Sequence, residues 1–312
     1  MIVNRTTRRW LLTVLGLMLA LSLPPALAKG TAIPTTPLSL WRVSDHAGHV
    51  MYLAGSMHAL TQADLPLPTA YTKAFYDSDR LVEELNLAHL DPSTVSQQAM
   101  QMGMLQNTTL GKVMGKTDWT RAKALAAKAN IDLSYYAHFK PWLAAVGVAD
   151  TLLIKLGYKP QLGPDMHFAR LARKRKMASN GLETVAEQLS FFNDMKLSVQ
   201  KRFLMQTLAQ ATTAKQDLAK LHAAWAHGDM ATLEALQKEN FKGFVNVRKR
   251  LIDERNARWL PHLKKCLASG QTCFVVVGVE HMVGPHGLLA LLRAAGAKVT
   301  QMHTRPAHAG GA

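Results

Sequence analysis

The feature that most restricts the fold is the run Thr272-Cys273-Phe274-Val275-Val276-Val277, near the C-terminus. It is continuous, apolar and rich in β-branched residues, the pattern of a strand covered on both faces. Such a strand lies inside a parallel sheet, and parallel neighbours come from distant sequence. The other strand signals are at 40–43 and 50–54, joined as a hairpin by Asp45-His46-Ala47-Gly48, and at 81–85, 179–182 and 297–302. Helical spacing fills the rest, over 95–106, 119–130, 141–155, 166–175, 185–268 and 287–295. Asp229 reads as an N-cap, and Pro261 suits a helix start or a kink. Neither end has enough strands for a sheet of its own. The expected fold is α/β (α+β): a single mixed sheet formed by the N- and C-terminal segments, with a large helical insertion. This makes one domain over 39–303, with a flexible segment at 29–38 and a disordered tail at 304–312.

The first 28 residues stand apart. Arg5, Arg8 and Arg9 form a basic start, residues 10–23 are apolar, and Ala26-Leu27-Ala28 is a small-residue cleavage site. This is the pattern of a secretory signal peptide, excluded from the fold. The expected location is therefore periplasmic or secreted, with no membrane span left after cleavage. Whether export runs by the general or the twin-arginine route stays open. The whole chain carries 37 Lys and Arg against 21 Asp and Glu, a net +16; removing the signal leaves 34 against 21, a net +13. An exported protein with no recognised nucleic-acid module points away from nucleic acid and towards an anionic envelope surface. The run Arg173-Lys174-Arg175-Lys176 reads as a solvated helix face.

Cys266 and Cys273 are the only cysteines. In an oxidising compartment such a pair reads as a disulfide. The alternative, metal ligation, usually brings C-x-x-C spacing and further ligands.

One short pattern occurs twice. Tyr52-Leu53-Ala54-Gly55-Ser56-Met57-His58 and Val275-Val276-Val277-Gly278-Val279-Glu280-His281 each run strand, Gly, two residues, His. The glycine lets the chain turn off the strand end. The histidine then stands at the sheet rim, where α/β folds place ligands. Two neutral imidazoles at one rim can share a metal, given a further ligand or base. Glu83 and Glu84 end the apolar run at 81–85, and alternation lets only one of them face such a site.

With these residues in view, the chain resembles the TraB/GumN branch of the TIKI family, which has two G-x-x-H motifs and a strand glutamate. The matching blocks run from about Leu40 to Met302. They include Leu53-Ala54-Gly55-Ser56-Met57-His58, Glu83-Glu84-Leu85-Asn86, Lys140-Pro141-Trp142-Leu143 and Gly163-Pro164-Asp165-Met166-His167-Phe168. Further on come Gly181-Leu182-Glu183-Thr184, Glu254-Arg255-Asn256 with Trp259, and Val277 to Pro285. Animal members of this family are membrane-tethered metalloproteases that trim Wnt ligands. The resemblance implies His58 and His281 as metal ligands and Glu84 as the strand glutamate, serving as ligand or base. Asn86 stands where an Asp is common. Glu280 is a candidate extra ligand or a solvent-facing residue.

Other residues in these blocks have physical readings of their own. Arg255 suits a buried carboxylate, with Glu183 as its partner, or a bound oxyanion. Asp165 and His167 point about 200° apart on a helix, so they do not serve one site together, though one of them can still help; Asp165 and Glu183 join Glu280 as possible additional site residues. Trp142 and Trp259 read as core.

Two functions follow. The first is a metal-dependent hydrolase acting on a peptide or protein, its metal Zn, Mn or Co, with Arg255 or Asn256 at the oxyanion. No H-E-x-x-H is present, which excludes the zincin arrangement. The alternative is a non-catalytic envelope protein that binds a peptide, haem or polysaccharide on the same fold.

Overall fold

The computed structural model describes residues 35–304. The signal peptide read at 1–28 and residues 305–312 of the tail lie outside the described residues, as does most of the segment read as flexible. Six strands form one mixed sheet: β1 (Pro37–Ser44), β2 (Val50–Ser56), β3 (Arg80–Glu83), β4 (Ala178–Gly181), β5 (Cys273–Gly278) and β6 (Lys298–His303). Their spatial order is β4-β3-β5-β2-β1-β6. The four strands β4, β3, β5 and β2 run parallel, while β1 pairs antiparallel with both β2 and β6.

The apolar run near the C-terminus is β5. It lies between β3 and β2, and all six of its residues are buried. The two chain ends do share a sheet. β4 comes from within the helical insertion, where the sequence places a strand at 179–182. The folded part also starts earlier and ends later than the sequence suggests. Pro37 and Leu38 belong to β1, and Thr304 N–H donates to the Thr36 carbonyl at 2.8 Å. Ladder pairing of β1 with β6 carries order past both expected boundaries.

The helices of the insertion cover the sheet. The helix Pro141–Lys155 starts on proline, which suits the first helical position, and is apolar almost all round. The helix Pro164–Arg175 is anchored by Phe168, whose ring meets Phe274 of β5 at 4.6 Å and Phe75 at 5.2 Å. Asp165 precedes Phe168 by three residues and so shares its inward face. The basic run Arg173–Lys176 is exposed along its length, as read, and Arg173 also donates through Nε to the Ala88 carbonyl at 2.8 Å, pinning the loop after β3. The helix Ala214–Ala226 is fixed to β2 by Trp225 Nε1, which donates to the Gly55 carbonyl at 2.8 Å.

Pro261 lies inside the helix Glu254–Leu267 and does not start it. Upstream the chain passes from Val245–Arg248 through a π-helical turn, Lys249–Asp253, into that helix. Cys266 at its end is disulfide-bonded to Cys273 at the start of β5, with Cα atoms 6.4 Å apart. No helix among the described residues is long and apolar enough to cross a membrane.

Candidate active site

The parallel register brings the repeated motif together. Ser56 of β2 pairs with Gly278 of β5, and Val276 of β5 pairs with Glu83 of β3. His58, Glu84 and the short helix Val279–Met282, which carries His281, therefore all leave the same edge of the sheet. The motif glycines are there for space and not for an unusual backbone angle. Gly278 has φ −51, and a Cβ on it would lie 3.1 Å from His58 Nε2 and 3.3 Å from Glu84 Oε1. On Gly55 a Cβ would come within 2.8 Å of the Val279 side chain. β3 stops at Glu83; Glu84 turns towards the histidines, while Glu83 borders a small pocket shared with His58, Glu84 and Asp165.

His281 is buried, and its surroundings fix its tautomer. Its Nδ1 lies 2.7 Å from Asn256 Oδ1, an acceptor, because the Asn256 amide nitrogen donates to the carbonyls of His281 and His286. Nδ1 therefore carries the proton, and Nε2 presents a lone pair, 3.2 Å from an Arg255 N–H. Burial, reinforced by the Arg255 charge, pushes the His281 pKa down to about 3. The imidazole is neutral across the physiological range.

His58 is held differently. Its Nδ1 lies 3.2 Å from Asp165 Oδ2, and the same carboxylate accepts from the Ser56 hydroxyl. Its Nε2 faces Glu84 Oε1 at 3.9 Å, and 58% of its side chain is open to the cavity. Burial acts to lower its pKa, but the Asp165 carboxylate, aided by Glu84, outweighs this and raises it to about 9. Asp165 is thus part of the site. His167, two residues on, packs edge-on against Phe168 at 5.0 Å.

Arg255 is the hub. It bonds Glu183 through Nε at 2.9 Å and Nη2 at 2.8 Å, and it bonds Glu84 Oε2 through Nη2. Through Nη1 it donates to the Leu251 carbonyl and reaches His281 Nε2, both at 3.2 Å. Trp259 Nε1 adds a further bond to Glu183 at 3.0 Å. Burial alone would raise the Glu84 pKa, but the Arg255 guanidinium holds it far below the usual carboxylate range. Glu84 also accepts from the Gly278 N–H at 2.8 Å and from Gln188 Nε2 at 3.2 Å.

These bonds correct one expectation. Arg255 and Asn256 were candidate oxyanion donors, yet their N–H groups are already committed to Glu84, Glu183, His281 and three backbone carbonyls. In this arrangement both hold neighbouring groups in place.

Glu83 sits near Asp165. Both of its carboxylate oxygens are buried without a hydrogen-bond partner, although the Leu87 and Ala88 backbone lies close. Burial, with Asp165 nearby, pushes its pKa up to about 8. Glu280 does not face solvent: it is buried on the wall of the central cavity, with Oε1 unpartnered, and burial raises its pKa to about 8.

The donor set fits a divalent ion in its chemistry. Each imidazole is oriented through Nδ1 by a side-chain oxygen, the arrangement that outer partners give to metal-bound histidines, and Glu84 supplies a charged carboxylate; His58, protonated at neutral pH, would release its Nε2 proton on binding an ion. Among the described residues no three His, Cys, Asp or Glu side chains are gathered into a ready metal cage. Arg255 is the cation in contact with His281 and Glu84. Sequence reasoning missed Ser56, Gln188 and the orienting role of Asn256. Ser56 lies inside the repeated motif and Asn256 was read as an oxyanion candidate, but neither signal pointed to the role it plays.

Fold and site define a mixed α/β protein with a buried His–Glu–Arg centre at the carboxyl edge of its parallel strands. The chain belongs to the TraB/PrgY/gumN family, whose model matches residues 39–301. No curated protein and no solved structure matches it.

Proposed function

We propose that the protein is an exported metal-dependent hydrolase that cleaves peptide bonds, with His58, His281 and Glu84 as the residues that would hold the ion. One observation carries the reading: two imidazoles, each with Nδ1 tied to a side-chain oxygen, converge with one charged carboxylate on one cavity. The bound ion would supply Lewis acidity and an acidified water. Zn, Mn and Co all accept two nitrogens and an oxygen. The chain's own residues do the rest. Asn256 keeps the His281 lone pair on Nε2, and Asp165 with Ser56 fixes the His58 ring. Arg255 keeps Glu84 charged and in place. Glu280, a wall carboxyl with an unpartnered oxygen, is placed to exchange a proton with a bound substrate. Export is supported by the N-terminal sequence and the disulfide, and the peptide preference by the family resemblance.

A second reading has its own observation. Arg255 already places a positive charge against Glu84 and His281 Nε2, which suits a protein that binds without turnover. Metal analysis and peptide cleavage by residues 29–312 separate the two. The hydrolase reading expects stoichiometric metal and cleavage, both lost in His58→Ala and in His281→Ala. A metal-free chain that binds peptide and cleaves nothing, unchanged by either substitution, establishes the second reading instead.

A further inference from the structure

The site opens into a cavity of about 980 Å³, its mouth included. One group of lining residues is the centre itself, with His58, Glu84, Arg255 and His281. The other group is apolar, and it is led by Phe192, Phe203, Phe241, Phe244, Leu251 and Ile252. We propose that this apolar part receives a bulky apolar group, aromatic or branched aliphatic, that the substrate carries next to its reacting carbonyl. The inference rests on the hydrolase reading for the word carbonyl, and on the cavity alone for the apolar group.

Three observations carry it. The first is where the wall comes from. Phe241, Val247, Leu251 and Ile252 join Phe191 and Met195 in a hydrophobic cluster separate from the core under the sheet, with Phe192 and Phe244 packed against it. This second cluster forms one side of the cavity.

The second observation is charge. The charged or titratable residues on the wall are His58, Glu84, Arg255, Glu280 and His281, and Glu84 and Arg255 already pair with each other. A charged substituent pushed among the phenylalanines would lose its water and find no partner. An apolar one would replace water with close contacts.

The third is the π-helical turn Lys249–Asp253. Such turns recur at functional sites because they rotate the side chains that follow. Here the turn puts Leu251 and Ile252 on the cavity wall, while Arg255 remains at the centre. The Leu251 carbonyl accepts from Arg255 Nη1 at 3.2 Å, and the Arg255 guanidinium lies 5.2 Å from the Phe191 ring. The pocket wall and the hub are therefore one mechanical piece.

The test uses residues 29–312 and two series of probes. One is a set of tripeptide amides varied at a single position through Gly, Ala, Leu, Phe, Lys and Glu. The other is p-nitrophenyl esters from acetate to octanoate and phenylacetate. Binding is measured by calorimetry and turnover by product formation, each on its own. The pocket predicts at least a tenfold rise in affinity or kcat/KM from Ala to Leu or Phe, with Lys and Glu no better than Gly. Phe244, half-buried at the wall, supplies the variants: Phe244→Trp should shrink the Phe-over-Ala ratio severalfold, and Phe244→Ala should move the preference towards larger groups. Circular dichroism confirms that each variant folds, and Phe192→Ala replaces any that does not. The series that shows the ranking identifies the source as peptide or acyl ester. Ranking in binding without any turnover sustains the pocket and removes the hydrolase reading. Turnover with a flat ranking does the reverse. Lys or Glu accepted as well as Phe, or no binding by either series, overturns the pocket.

Discussion

The two halves of the site are built from one motif and end in opposite states. Both histidines follow a glycine at the end of neighbouring parallel strands, with Ser56 and Gly278 in register. His58 meets a carboxylate on Nδ1, stays half open, and has its pKa raised to about 9. His281 meets an amide on Nδ1, is buried beside Arg255, and has its pKa lowered to about 3. The motif sets where each ring stands, and partners from the helical insertion set what each ring is. A repeated sequence pattern is therefore evidence of a shared place and not of a shared chemical role.

The most severe way to break this contrast is to remove Arg255, which belongs to the His281 half. Arg255→Ala leaves Glu84 buried without its guanidinium and Glu183 with the more distant Arg258, 3.7 Å away, as its cation, their side chains 10% and 4% exposed. Breaking a buried pair from one side costs about 3–5 kcal/mol. Urea unfolding should show a loss of that order, with the His281 pKa rising towards its ordinary value. Arg255→Lys should recover part of the stability, because it keeps a charge but cannot span both glutamates. An Arg255→Ala protein that unfolds at the wild-type midpoint would show that Arg255 is no hub.

The same division explains what could be read in the sequence. The strand 273–278, the hairpin before it in the chain and the two G-x-x-H turns were legible because their signals are local: β-branched runs, turn residues and a fixed spacing. Alternation allowed only one of Glu83 and Glu84 at the site, and the choice of Glu84 came from the resemblance alone. The partners were not legible, because Asp165 lies 107 residues from His58 and joins it only through the packing of Phe168 on the sheet. The separation of Asp165 from His167 did follow from helix geometry. Which of the two reaches the site depends on the inward face that Phe168 selects. The apolar cavity was hidden for a different reason. Helical spacing of apolar residues looks the same whether they fill a core or line a space, so Phe192, Phe203 and Phe241 gave no separate signal. The missed order at Pro37 and Thr304 is likewise a matter of partners, since small and proline-rich residues become strand once β6 pairs with β1.

A smaller perturbation also falls on one half. The Cys266–Cys273 disulfide ties the end of the helix that carries Arg255 and Asn256 to the start of the strand that leads to His281. Nothing comparable joins Asp165 to His58. For a loop this short, the cross-link is worth about 2–3 kcal/mol. The Cys266→Ser, Cys273→Ser double variant should lose about that much in thermal or urea unfolding. Hydrogen exchange should speed up more in β5 and the Glu254–Leu267 helix than around His58. Equal acceleration in both halves would mean that the disulfide supports the sheet generally and not the His281 side.

The finest test is titration. His58 has a folded pKa of about 9, above the ordinary 6.5, so its contribution to stability is full below pH 6.5 and is lost as pH rises through 9. His281 has a folded pKa of about 3, below 6.5, so its contribution is present above pH 6.5 and is lost as pH falls towards 3. The two rings therefore erode stability on opposite sides of neutrality. The slope from His58 is the shallower, because its side chain is 58% exposed and water screens the carboxylates around it. Asp165→Asn removes the leading attraction on His58 and should return its NMR titration towards 6.5, flattening the alkaline slope and leaving the acid slope in place. Asn256→Asp gives His281 the kind of partner His58 has, and should raise its pKa while Arg255 still holds it below the ordinary value. If the Asp165→Asn protein titrates His58 as the wild type does, Glu84 and not Asp165 sets its charge. The contrast between the two halves would then lie in burial, with the Nδ1 partners playing no part.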